Sequence, residues 1–165
     1  MNRKRPVTIL GVDPGVALVG WGVIKGVHDK LSAEDYGCIE TDKKLPLEKR
    51  LLIIHTELQK IMKKHRPEIV SIEELFFFKN VKTAIAVSQA RGVIMLAAEQ
   101  SKTQVQEFTP LQIKQAICGY GRADKAQIQK MIKIILKLKS IPKPDDTADA
   151  LAIAVCSAVS NDNLK

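Results

Sequence analysis

Cysteine is scarce in these 165 residues: Cys38, Cys118 and Cys156 are the only three, and no two form a Cys-x-x-Cys pair. An odd, scattered set excludes a disulfide framework and a zinc ribbon, and it suits a reducing compartment. No apolar run approaches the roughly 20 residues needed to span a bilayer. The basic start, Met1 to Pro6, runs into a charge at Asp13 and does not read as a secretory signal. The expectation is a soluble, cytoplasmic chain. The three histidines, His28, His55 and His65, are isolated in sequence and are read as exposed and without a role. Internal repeats, low-complexity tracts and long linkers are missing too. That leaves one domain over 1–165, with the basic residues 1–6 and the end, 160–165, expected to be flexible. Acidic residues are in deficit, 18 against 26 Lys and Arg, and the net charge is +8. Such a surplus favours a polyanionic partner, because each phosphate neutralised by a cation releases condensed counterions.

What is present is a change of period along the chain. Val7 to Val12 is a β-branched apolar run closed by Asp13-Pro14-Gly15, a strand ending in a turn. Leu18 to Ile24 reads as a second strand and Lys30 to Glu40 as a weaker third. Between Leu45 and His65 the residues Leu47, Leu51, Ile54, Leu58 and Ile61 recur every three or four positions, the stripe of an amphipathic helix, and Pro67 ends it. A short strand, Ile69 to Ile72, leads into Glu73-Glu74. A helix over Val81–Gln100 and a strand over Gln104–Phe108 follow. Thr109-Pro110 then reads as the cap and first turn of a helix reaching Cys118. Two more helices are expected, about Asp124 to Leu138 and Thr147 to Val159. Strands first, then strands alternating with helices, predict an α/β fold: a mixed five-stranded sheet flanked by helices.

The informative residues are acids placed where apolar elements stop. Asp13 closes the first strand, Glu73 the fourth, and Asp146 and Asp149 open the last helix three residues apart, on one face. Each has an ordinary alternative. Asp-Pro-Gly is a common turn, Asp146 would serve as a helix cap, and Glu73-Glu74 would serve as solvated charge. Taken together, strand ends and helix starts are where a sheet gathers distant side chains into one cleft. Clustered carboxylates repel and are pushed to protonate unless a cation joins them. Hard divalent ions prefer carboxylate oxygen, and two of them about 3.5–4 Å apart drive phosphodiester cleavage.

These residues carry a specific resemblance. The chain is similar, over nearly its whole length, to Holliday-junction resolvases of the RuvC family. The likeness rests on Ile9 to Gly15, Ile72-Glu73-Glu74-Leu75-Phe76, Lys79-Asn80 with Gln89 to Val93, and Asp146 to Ala154. The first block alone is shared with other nuclease-like and actin-like folds; the last two are specific. The resemblance implies an RNase H-like fold and a homodimer that nicks four-way DNA junctions in recombination and repair. It implies Asp13, Glu73, Asp146 and Asp149 as both catalytic and metal-binding residues. Mg²⁺ is the implied cofactor, two ions per site, with Mn²⁺ able to substitute. The family also implies an association with branch-migration motor proteins, and a bacterial, nucleoid-associated setting. Asp145, beside the motif, is an added acid that competes with Asp146 for the ligand role; the spacing to Asp149 favours Asp146.

By the same resemblance Phe76 meets the junction, and stacking on an unpaired base gives the physical reason. Phe77 is a second candidate contact, and core packing is expected to take at least one of the three phenylalanines. Lys114 and Lys125 match family lysines near the acids, for phosphate contact and transition-state charge. Gly119-Tyr120-Gly121 between them lacks the Gly-x-x-x-x-Gly-Lys-Ser/Thr pattern of a phosphate loop and reads as a turn. The small residues Ala84, Ala86, Ala90 and Ala97 point to the helix over Val81–Gln100 as part of the dimer interface, with Arg91 in packing or in that contact. Two rivals remain. An actin-like phosphotransferase would need a second phosphate loop and more length, and a non-catalytic polyanion binder gains nothing from clustered acids.

Overall fold

The computed structural model describes residues 5–27, 30–75 and 81–161. Five strands form one sheet in the order β3-β2-β1-β4-β5: β1 (Val7–Asp13), β2 (Leu18–Val27), β3 (Lys30–Glu40), β4 (Ile69–Glu73) and β5 (Gln104–Phe108). The first three are an antiparallel meander, with Asp13 opposite Gly20 and Gly20 opposite Cys38. β4 and β5 run parallel to β1, so each is reached by a helical crossover, α1 (Leu47–His65) before β4 and α2 (Val81–Gln100) before β5. Three helices follow: α3 (Pro110–Cys118), α4 (Lys125–Ile135) and α5 (Asp145–Ser160).

Alternation along the strands splits the core into two layers. Leu10, Val12, Val70 and Ile72 pack against Ile54, Leu58 and Met62 of α1 and Ala90, Ile94 and Ala97 of α2. Ile9, Ile69 and Phe108 face the other way, onto α3, α4 and α5. Because side chains alternate with period two, Asp13 and Glu73 share the face of Ile9 and Ile69. They therefore project beneath α5 at the end of the sheet where β1 and β4 finish.

The expected elements are all present, with differences at their ends. β2 continues three residues past Ile24 because it pairs with Lys30 to Ala33 of β3. α4 stops at Ile135, with Leu136 and the left-handed Lys137 beyond it. α5 begins at Asp145 behind Pro144, so Asp146 is inside the first turn and caps nothing with its side chain. The predicted cap at Thr109 is a full capping box with Gln112, and an equivalent box joins Asp124 to Gln127. Gly119, at φ 79°, ends α3 as a left-handed cap, which makes the Gly-Tyr-Gly stretch a turn.

Three expectations need correction. His65 is not exposed: its Nε2 lies 3.0 Å from Asp35 and its ring tilts against Trp21, while His55 pairs with Gln100 at 2.7 Å. α2 is twenty residues long and apolar enough to cross a membrane by length and composition, contrary to the reading of the bare sequence. It packs on α1 and the sheet through Ala90, Ile94, Ala97 and Ala98. Ala90 and Ala97 therefore face the chain's own core and are fully buried; the apolar side chains that α2 leaves exposed are Val81, Ile85 and Leu96.

Candidate active site

Close approach of α5 to the sheet builds the site. A side chain at Gly11 would collide with the carbonyl of Ala150, and one at Gly20 with the carbonyl of Asp146. Only glycine lets the backbone of α5 rest directly on β1 and β2. That contact sets the start of α5, with Asp146 and Asp149, over the ends of β1 and β4, with Asp13 and Glu73. The turn after Asp13 is braced separately. Arg50 Nε donates to Thr41 Oγ1 at 2.8 Å, and that hydroxyl donates to the carbonyl of Val16 at 2.5 Å. Arg50 carries no functional signal in the sequence, where it reads as one more charge on the polar face of α1.

The charges of Glu73, Asp146 and Asp149 all act on Asp13. The Asp13 carboxyl is pushed up to about 8, first by burial and then by the negative charges of Asp149, Glu73 and Asp146. Burial also raises Glu73, aided by Asp149 and opposed by Lys114. Asp149 is raised by burial against the pull of Lys125, whose Nζ lies 3.0 Å from its Oδ2. The pairing with Asp149 in turn raises Lys125. Asp145 stands at the rim: Lys143 at 3.1 Å holds its carboxyl low, Lys125 lies 3.7 Å from its Oδ2, and its charge acts on Asp149 but not on Asp13. The charge of Asp146 acts on both Asp13 and Asp149.

Among the described residues no three His, Cys, Asp or Glu side chains are drawn together tightly enough to hold an ion as they stand. The donor set nevertheless fits hard divalent cations: four carboxylates, one buried enough to prefer its proton up to about pH 8. Cys38 Sγ, 3.1 Å from Thr147 Oγ1 at the edge of the cluster, has its thiol raised by burial and by the nearby acids, which makes it a poor soft ligand.

Two clefts flank the acids. Glu73, Asp149, Lys114 and Lys125 line one of ≈ 240 Å³, floored by Ile113, Ile128 and Ile153. Asp146 lines the other, of ≈ 530 Å³, with Arg50, Lys82 and the loop Gly15–Leu18. Lys82 was not picked out from sequence, although a cation in the first turn of a helix runs against the helix dipole and is a legible oddity. Arg91 is an intramolecular partner, paired with Glu107 of β5. Phe76, Phe77, Phe78, Lys79 and Asn80 lie outside the described residues, as does His28.

A mixed sheet in this order, with acids at the ends of β1 and β4 beneath a crossing helix, defines an RNase H-like protein. The family model "Crossover junction endodeoxyribonuclease RuvC" matches residues 9–157, and the chain belongs to that family. It is 55% identical over 150 residues to the crossover junction endodeoxyribonuclease RuvC of Halothermothrix orenii, covering 91% of each chain. To that of Ruminiclostridium cellulolyticum it is 52% identical over 153 residues, covering 93% of this chain and 92% of the relative. Among solved structures it is similar to Thermus thermophilus RuvC in complex with Holliday junction substrate. There the TM-score is 0.89 at 34% identity, over 93% of this chain and 94% of the other.

Proposed function

We propose that this chain is a structure-selective endonuclease that resolves four-way DNA junctions by paired hydrolytic nicks, with Asp13, Glu73, Asp146 and Asp149 as its metal-holding acids. The observation that carries the reading is the elevation of Asp13, by burial and by the charges of Asp149, Glu73 and Asp146, at the sheet end where β1 and β4 finish. A polyanion binder has no use for such a cluster, whereas divalent ions do. Family membership supports the same reading.

Two Mg²⁺ ions, with Mn²⁺ as substitute, would supply a water of lowered pKa and charge on the leaving oxygen. The chain's own residues do the rest. The four acids orient the ions from two strands and one helix. Lys125, released from Asp149, and Lys114, already facing Glu73, neutralise the phosphate from the ≈ 240 Å³ cleft. Arg50 and Lys82 face the strand from the other side of Asp146. Phe76 and Phe77 follow the β4 acid closely enough in sequence to hold an opened base beside it.

A homodimer supplies two sites, one per cut strand. The exposed apolar residues Ile85 and Leu96 of α2, with Gly92 between them at helical spacing, form a stripe without a partner among the described residues, which supports this helix as the contact. Nucleoid association and a link to branch-migration motors follow from the family and are checked by localisation and co-purification. The test of the activity is a synthetic four-way junction incubated with protein and Mg²⁺. Symmetric nicks leaving 5′-phosphates, on the junction and not on linear duplex, are expected. Equal cutting of linear duplex would defeat junction selectivity.

A further inference from the structure

Arg50, near the start of α1, has two surroundings. Its Nε donates to Thr41 Oγ1 at 2.8 Å, and its side chain also lines the ≈ 530 Å³ cleft that opens beside Asp146. A guanidinium carries five N–H donors in one rigid plane, so fixing Nε fixes the direction of the other four. Arg50 is half-buried, yet among the described residues no carboxylate pairs with it. A cation drawn out of water without a counter-charge is unfavourable until an anion reaches it.

Thr41 is the fixed end of the contact. It is 8% exposed and binds the loop after Asp13 twice, N–H to the Ala17 carbonyl at 3.0 Å and Oγ1 to the Val16 carbonyl at 2.5 Å. The loop is closed tightly as well, since a side chain at Gly15 would collide with the carbonyl of Leu18. Thr41 therefore holds the loop through its own bonds, and its hydroxyl offers Arg50 a lone pair that does not move. Bracing alone explains one N–H of Arg50 and leaves the rest of the guanidinium without a purpose.

The position of the cleft says which anion fits. Asp146 opens onto it, and the charge of Asp146 acts on Asp13. A strand whose scissile phosphate lies over the acids carries its neighbouring phosphates away from them on either side. Arg50 and the exposed Lys82 stand on the Asp146 side, across the acids from Lys114 and Lys125. A planar fork suits a phosphodiester, which accepts two parallel N–H bonds.

We infer that Arg50 binds a phosphodiester flanking the one that is cut, and that Thr41 is the positioning residue that aims it. The inference rests on the nuclease reading above and adds a fixed point for the strand on the Asp146 side of the acids.

The experiment measures anisotropy of a fluorescein-labelled four-way junction with the full-length protein, without divalent ions, over a salt series. Arg50→Gln should weaken binding about tenfold and flatten the slope of log K against log salt by about 1. A brace for the loop would not move that slope. T41V keeps the charge and should keep the slope, while single-turnover nicking with Mg²⁺ falls about tenfold; T41S should restore most of the rate. If Thr41 acts through Arg50, the double variant R50Q/T41V should nick no more slowly than R50Q. Junctions carrying one neutral methylphosphonate beside the cut test the wild-type protein directly. At one flanking position the neutral group should cost the wild type about tenfold in affinity and cost R50Q nothing further. An unchanged slope in R50Q, or no flanking methylphosphonate that the wild type senses, would overturn the assignment of Arg50. Additive losses in the double variant would overturn the role of Thr41. Wild-type protein that bound no junction would overturn the nuclease reading along with this inference, whereas binding and nicking with an unchanged R50Q slope would overturn this inference alone.

Discussion

Asp13 sits where a carboxylate is least at ease. Burial and three neighbouring acids hold its pKa at about 8 against the ordinary 3.8. Without metal, the folded protein keeps a proton that the unfolded chain releases between those two values. Its contribution to stability is therefore full below about pH 4 and falls as pH rises toward 8. The metal-free Asp13→Asn variant should accordingly be more stable than metal-free wild type at pH 8, by ~1 kcal/mol or more, the equivalent of one pKa unit. The two should converge near pH 4, and Mg²⁺ should close the gap from the wild-type side. Thermal melts with and without chelator check this; a gap that widens toward acid would contradict it. On function, Asp13→Asn and Glu73→Gln should each lower nicking by on the order of 10²–10³-fold or more, with junction binding intact in a gel-shift assay.

At the scale of elements, the contact of α5 with β1 and β2 decides whether the acids meet. Gly20 lies under the Asp146 carbonyl, so Gly20→Ala must lift the first turn of α5. A loss of ~1–3 kcal/mol is expected from overpacking. Cleavage should drop further than the unfolded fraction explains, as measured by denaturant melts beside nicking rates below the transition. A variant that loses stability but keeps full activity would show that α5 tolerates displacement. Much of this scale was legible in the sequence. The periods along the chain located every element, and the Thr109 cap and the acids at element ends could be read directly. What could not be read are contacts between elements. No local pattern tells that Gly11 and Gly20 face a helix more than a hundred residues away, or that Ala90 and Ala97 face inward. The Asp35–His65 pair and the Arg50–Thr41–Val16 brace are long-range or backbone contacts as well, so periodicity is blind to them.

For the whole molecule, the net charge of +8 and the placement of cations on both sides of the acids describe a surface for a polyanion cut at its middle. Pairing two such surfaces through α2 would set two sites on one junction. Leu96 is about half exposed, so Leu96→Glu should change protomer stability by no more than ~0.5 kcal/mol. It should nevertheless shift sedimentation toward the monomer and uncouple the two nicks, giving singly nicked junctions. A dimer of unchanged mass would place the interface elsewhere.

The most direct test of the central claim, that four acids from two strands and one helix hold divalent ions together, is a Mn²⁺ soak of crystals read by anomalous scattering. Anomalous density enclosed by Asp13, Glu73, Asp146 and Asp149, and absent in Asp13→Asn, is the predicted result. Manganese bound only at other carboxylates, or at none, would contradict it.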